Sequence, residues 1–191
     1  MRLRAIIAVL LATTISLAAP PAYAEEIVDP TDACTIGGVA VPEGEAPPAD
    51  IPVVISCFDS QAEAEAFIEA GAPGDIEQLI GTSQARSASA AAASTVTIGS
   101  VWTGLGRTGS VLIHWGTGSG CYGVTYGFPT LPSGWNDNIR SAEGSSNCWA
   151  SHYQNASYGG QVLTCAPYCS TLSFLNAMSS SIVYRPVGTF G

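Results

Sequence analysis

The chain is 191 residues long and carries a formal net charge of −9, with six arginines, no lysine and fifteen acidic side chains. Nucleic acids and anionic lipid surfaces are held by basic patches, so this balance excludes both as expected partners.

Residues 1–24 read as a secretory signal peptide: Arg2 and Arg4 give a positive start, Ala5 to Leu17 is apolar, and Ala22-Tyr23-Ala24 offers small residues at a cleavage site. The apolar run falls short of the ~20 residues that a spanning helix needs. The expected product is therefore secreted, extracellular and free of the membrane once the signal is removed.

Export sets the redox context of the six cysteines, Cys34, Cys57, Cys121, Cys148, Cys165 and Cys169. An even number outside the cytosol favours disulfides. The later four lack the paired C-x-x-C spacing of structural zinc sites. The wide gap after Cys57 divides the set, so Cys34–Cys57 is expected in the front of the chain. Cys165 and Cys169 are close enough for a local bridge, which would leave Cys121 with Cys148, but the sequence leaves the connectivity of these four open.

Charge marks a boundary: residues 25–94 hold 13 acids and one arginine, Arg86, whereas residues 95–191 hold Asp137 and Glu143 against Arg107, Arg140 and Arg185. The predicted organisation is an acidic N-terminal region over 25–81, a Ser/Ala-rich linker over 82–94, a β-domain over 95–187 and a tail over 188–191. Asp29 to Asp50, rich in proline, glycine and acids, predicts an extended or poorly ordered arm. Ile51 to Phe58 is apolar and β-branched enough for a strand, and Asp59 or Ser60 could cap a helix running to Gly71. Such a region suits a spacer, a pro-segment or a secretion aid.

From Thr95 onward short runs rich in Val, Ile, Thr, Tyr and Trp alternate with Gly, Ser, Asn and Pro turns, which predicts an all-β fold. Strands are expected at 96–101, 110–115, 122–126, 148–153, 160–165 and 180–184. This half is internally duplicated. Trp102, Arg107, Gly109, Val111 and Leu112 recur 51 positions later as Tyr153, Tyr158, Gly160, Val162 and Leu163. Each set is followed by a second shared segment, residues 135–141 after the first and 175–181 after the second.

The order Tyr153, Tyr158, Gly160, followed by an Asn/Asp-rich and serine-rich segment, resembles the Greek-key motif of βγ-crystallin domains. In that motif a hairpin folds back over its sheet, and the glycine permits a backbone that a side chain would obstruct. The first copy departs from the pattern at Arg107, whose stem and planar head can still cover a ring. The resemblance covers about residues 95–187 and implies two Greek-key motifs in one βγ-crystallin-like sandwich. Among such proteins the chain resembles the secreted actinobacterial metalloproteinase inhibitors and their relatives. That similarity implies a non-enzymatic, monomeric binding module with an extracellular peptidase as partner, and it transfers no inhibitory loop.

The loop from Phe128 to Asn138, with Pro129, Pro132, Gly134 and Trp135, is conspicuous as a candidate inhibitory loop, although a Pro/Gly turn leading into the motif, with Trp135 in the core, is the preferred account of it. The family also implies calcium, held by oxygens of the shared segments. A crossed arrangement would pair Asp137 with Ser180 in one site and leave Ala177 and Arg140 in the other. No cofactor is required, and calcium has at most one site. Arg140 could instead set a fixed positive charge near Asp137.

Catalytic chemistry has little to draw on. His114 and His152 are the two histidines, they are not mates under the duplication, and no nucleophile elbow or zinc-binding histidine pair accompanies them. No catalytic residue is assigned. Asn155-Ala156-Ser157 fits a glycosylation acceptor but lies inside the hairpin motif.

Overall fold

The structure, a computed structural model, describes residues 33–75, 79 and 94–191. The expected signal peptide and nearly all of the expected linker lie outside the described residues.

Eleven strands and one α-helix are described. The front of the chain forms β1 (Ala33–Gly38), β2 (Ala40–Pro42), β3 (Ile55–Phe58) and α1 (Gln61–Glu69). The duplicated half forms β4 (Thr95–Trp102), β5 (Val111–Thr117), β6 (Val124–Phe128), β7 (Ser141–Gly144), β8 (Cys148–Asn155), β9 (Gly159–Cys165), β10 (Tyr168–Cys169) and β11 (Ser181–Pro186). One sheet has the order β10-β7-β4-β5-β1-β3 and the other β2-β6-β11-β8-β9. The fold is therefore mostly β, with two sheets, as the composition predicts.

Within the duplicated half each copy keeps three strands in one sheet and sends its third to the other. β4, β5 and β7 lie in the first sheet with β6 in the second; β8, β9 and β11 lie in the second with β10 in the first. The register repeats as well. Trp102 pairs with Val111 and Ser141 in the first copy, and Tyr153 pairs with Val162 and Ser181 in the second. The duplication in the sequence is thus a duplication of ladders.

The expected arm is not what residues 33–42 form. All six residues of β1 are buried, running parallel to β5 from Ala33↔Val111 to Gly38↔Gly116 and antiparallel to β3 on its other side. After Val39 the chain crosses to the second sheet, where β2 pairs with β6. The reason is local: Ala-Cys-Thr-Ile-Gly-Gly carries no charge, and alternation sends Cys34 and Ile36 into the core between the sheets. Asp29, Pro30 and Asp32 precede this run, and the other acids and prolines that suggested disorder begin only at Pro42. The strand expected over 51–58 begins only at Ile55, and β7 and β10 were not foreseen.

Two cores result. Between the sheets lie Ile36, Ile98, Leu112, Trp135, Ile139 and Ile182, among others. On the outer face of the first sheet, Ala64 and Ile68 of α1 pack with Ile51 and Val54 over Val111, Ile113 and Trp115. Helix α1 starts at Ser60, whose hydroxyl accepts the Glu63 N–H at 3.3 Å, and stops at Gly71 with φ of 92°. The front region is therefore integral to the sandwich rather than a spacer beside it. Burying one large apolar side chain contributes about 1.5–3 kcal/mol, so Trp115 alone, fully buried under α1, makes this layer significant.

The three bridges are Cys34–Cys57, Cys121–Cys148 and Cys165–Cys169, the expected pairing. Disulfides suggest an oxidising environment. Among the described residues no helix is long and apolar enough to cross a membrane.

Candidate functional site

Both hairpins fold back on themselves at equivalent residues. Arg107 and Tyr158 take left-handed backbones, φ 65° and 60°, and Gly109 and Gly160 follow at 80° and 78°. A Cβ on Gly160 would lie 2.9 Å from Asn155 Nδ2, and one on Gly109 would lie 2.5 Å from Thr103 Oγ1. Both glycines are thus needed for conformation and for space.

One serine closes each fold. Ser141 accepts the Arg107 N–H at 3.1 Å and donates to the Gly104 carbonyl at 2.8 Å. Ser181 accepts the Tyr158 N–H at 3.0 Å and donates to the Asn155 carbonyl at 2.7 Å. These latches were missed in the sequence, although their identity in both copies is the signal that could have found them.

The two copies diverge in what the folded hairpin covers. The Tyr158 ring meets Tyr153 edge-on at 5.9 Å, its hydroxyl donates to the Pro48 carbonyl at 3.3 Å, and burial, with Tyr153 nearby, pushes its phenol well up. Arg107 instead lies 4.0 Å over the ring of Tyr168 and is bonded to Glu143 at 2.7 Å. Its pKa is raised, first by that hydrogen bond. Trp102, the first aromatic of this copy, is buried under the α1 layer.

The shared segments cross between the copies. Asp137 donates its N–H to the Ser179 carbonyl at 3.1 Å, and Ala177 donates to Ile139 at 2.8 Å. Asp137 and Ala177 both have left-handed backbones, φ 57° and 56°. This crossing brings the Ser180 hydroxyl to 3.4 Å from Asp137 Oδ1, while Asn136 Nδ2 donates to Asp137 Oδ2 at 3.0 Å. Asp137, Ser180, Gln154 and Asn155 then line one open depression, with Ala177 and Met178 completing it. Oxygen donors suit a hard cation, but calcium takes 6–8 ligands, and this set includes a single carboxylate. Among the described residues no three His, Cys, Asp or Glu side chains converge as a metal cluster. Arg140 is not among the lining residues. Among the described residues the one ion pair is Arg107–Glu143, so Arg140 is not within bonding distance of Asp137.

The loop over 128–138 is tied down at both ends. Leu131 and Trp135 are buried at 3% and 2% exposure, the Leu131 N–H reaches the Ser180 carbonyl, and the Trp135 and Asn136 N–H groups return to Pro132. Asn138 Nδ2 also donates to the Gly134 carbonyl at 3.0 Å. What the loop exposes is Ser133-Gly134, together with Thr130, Asn136 and Asp137.

His114 and His152 are fully buried in the sandwich. The His114 ring meets Phe128 edge-on at 4.6 Å and lies 5.1 Å from Tyr184. His152 Nδ1 is 3.1 Å from the Ser179 hydroxyl. Burial lowers both imidazoles to about 3, and His152 adds to the effect at His114, with the nearby Leu112 backbone opposing it. They serve as neutral packing groups at ordinary pH.

No protein-family model matches this chain, and neither does any curated protein or solved structure.

Proposed function

We propose that this protein is an exported, non-catalytic binding module with a βγ-crystallin-like double Greek-key fold, acting as a peptidase inhibitor. The exchange of third strands β6 and β10 between sheets supports the Greek-key reading, together with the two serine-latched hairpins. The observation that carries the inhibitory reading is the 128–138 loop. Buried anchors at Leu131 and Trp135 flank an exposed Ser133-Gly134 bend, so little ordering remains to be done on binding. An enzyme cleft can accept such a loop without being able to distort it. A panel of metallo-, serine and cysteine peptidases tests the reading. Inhibition at near-stoichiometric concentration, with the protein surviving incubation, is the expected result; failure across the panel, or rapid cleavage between residues 131 and 135, rejects it.

A second reading, structural with one weak calcium site, is favoured by the approach of Ser180 to Asp137 at 3.4 Å. Calorimetric titration of metal-free protein should give one site, lost in Asp137→Ala. No heat and no rise in melting temperature at millimolar calcium would rule it out.

A further inference from the structure

The front region covers one end of the sandwich and leaves the other bare. At the covered end β1 pairs with the outer edge of β5 and β2 with the outer edge of β6. β9 is the duplicate of β5, with Val162 and Leu163 standing where Val111 and Leu112 stand. Yet among the described residues nothing pairs with its outer edge, and β10 is likewise terminal in its sheet. The molecule thus shows in its first half what such an edge accepts, an uncharged extended strand.

We propose that β9 is a dimerisation edge, on which β9 of a second copy pairs antiparallel across a two-fold axis. Terminal strands are normally blunted by brevity, charge, proline or bulges. The other three fit that rule better: β10 has two residues, β2 has three and ends in Pro42, and β3 has four. β9 has seven, Gly-Gly-Gln-Val-Leu-Thr-Cys, with no charge and no proline. The irregularity in its pairing falls between Tyr153 and Asn155 at the hairpin end, leaving Val162 to Cys165 in regular register. Beside it Phe174, half exposed, shares a shallow depression with Gln161 and Val162.

The occupant that fits is a second copy: the edge of β5 takes an uncharged extended strand, β1, and β9 is itself such a strand. Two molecules without residues 1–24 each carry a net charge of −11, fifteen acids against four arginines, and repel, and the described acids of the front region, Glu43 to Asp75, sit with the covered end. Pairing through β9 keeps those regions at opposite extremes of the dimer and brings only neutral strands together. The contact is self-complementary, as an isologous two-fold interface must be. A monomer is the expectation that the family similarity carries, and the open edge of β9 departs from it. This inference does not depend on the inhibitory reading.

Sedimentation equilibrium of the chain lacking residues 1–24, over a range of concentrations, tests the proposal. The expected result is a monomer–dimer equilibrium that Val162→Lys shifts fully to monomer without lowering the melting temperature. Val53→Lys, on the front region, should leave the dimer intact. Hydrogen exchange on the unsubstituted chain gives a second measurement should Val162→Lys fail to fold: the amides of 161–164 should slow as concentration rises. A monomer at every concentration overturns the proposal, as does a dimer indifferent to Val162→Lys, or exchange that slows elsewhere and not in β9.

Discussion

Ser141 and Ser181 are both fully buried, and each satisfies one backbone donor and one backbone acceptor of a hairpin that would otherwise open. Removing a hydroxyl leaves those groups without a partner, a loss of about 1–3 kcal/mol for a buried group. Ser141→Ala and Ser181→Ala should therefore each destabilise the fold by that amount, read as a lower denaturant midpoint at unchanged slope. The glycines beside them behave differently under substitution. Gly109 and Gly160 fail through both backbone conformation and crowding, and no single compensating change relieves the two together. Asp137 and Ala177 show the limit of such symmetry, because the fold demands a left-handed residue at both positions but a carboxylate at neither. That is why the backbone repeats while the candidate calcium chemistry does not.

Among the elements, β4, β5, β6, β9 and β11 were legible because each carries Val, Ile or Thr beside a turn signal, and β8, which has no β-branched residue, was legible from Trp149 and Tyr153. β7, Ser-Ala-Glu-Gly, was not, since it contributes little hydrophobic pattern and is a strand only because Trp102 and its neighbours offer it a ladder. β1 was lost for another reason: six uncharged residues sit immediately before an acidic, proline-rich stretch, and any window wide enough to show periodicity averages over both. The crossed approach of Ser180 to Asp137 was an implication of the family resemblance rather than of the residues alone, whereas the serine latches require knowing which atoms the hairpin leaves unbonded. The position of β1 yields its own test. A Cβ on Gly37 would fall 2.5 Å from the Trp115 ring, which is itself fully buried beneath α1. Gly37→Ala should loosen the front region by about 1–3 kcal/mol, the usual cost of overpacking. Faster hydrogen exchange in β1 and β3, with β8 and β9 unchanged, would mark the effect as local.

On the scale of the whole molecule, the histidines lie between layers and report on their integrity. Each has a folded pKa near 3, below the unfolded value of about 6.5, so the unfolded chain takes up protons first. Their contribution to stability is complete above pH of about 6.5 and is lost as the pH falls toward about 3. Two such groups imply a decline of up to about 3 kcal/mol per pH unit within that window. Chemical melts at successive pH values should show it, and His152→Asn should remove about half of the slope. A midpoint that stays constant from pH 6.5 to 4 would mean that the sheets admit water to these rings.

The connectivity of the sulfur atoms bears on how the chain reaches this state. Cys34 joins Cys57, Cys121 joins Cys148 and Cys165 joins Cys169, so the cysteines are bonded in consecutive pairs along the chain and no loop encloses another. Of the 15 possible pairings of six cysteines, this one can form in order of emergence. In an oxidising environment, if the thiols appear in chain order, every second one finds its proper partner already waiting, and no bridge has to be broken for a later one to close. Assembly of the sandwich can then follow the order of synthesis without a stage of thiol reshuffling.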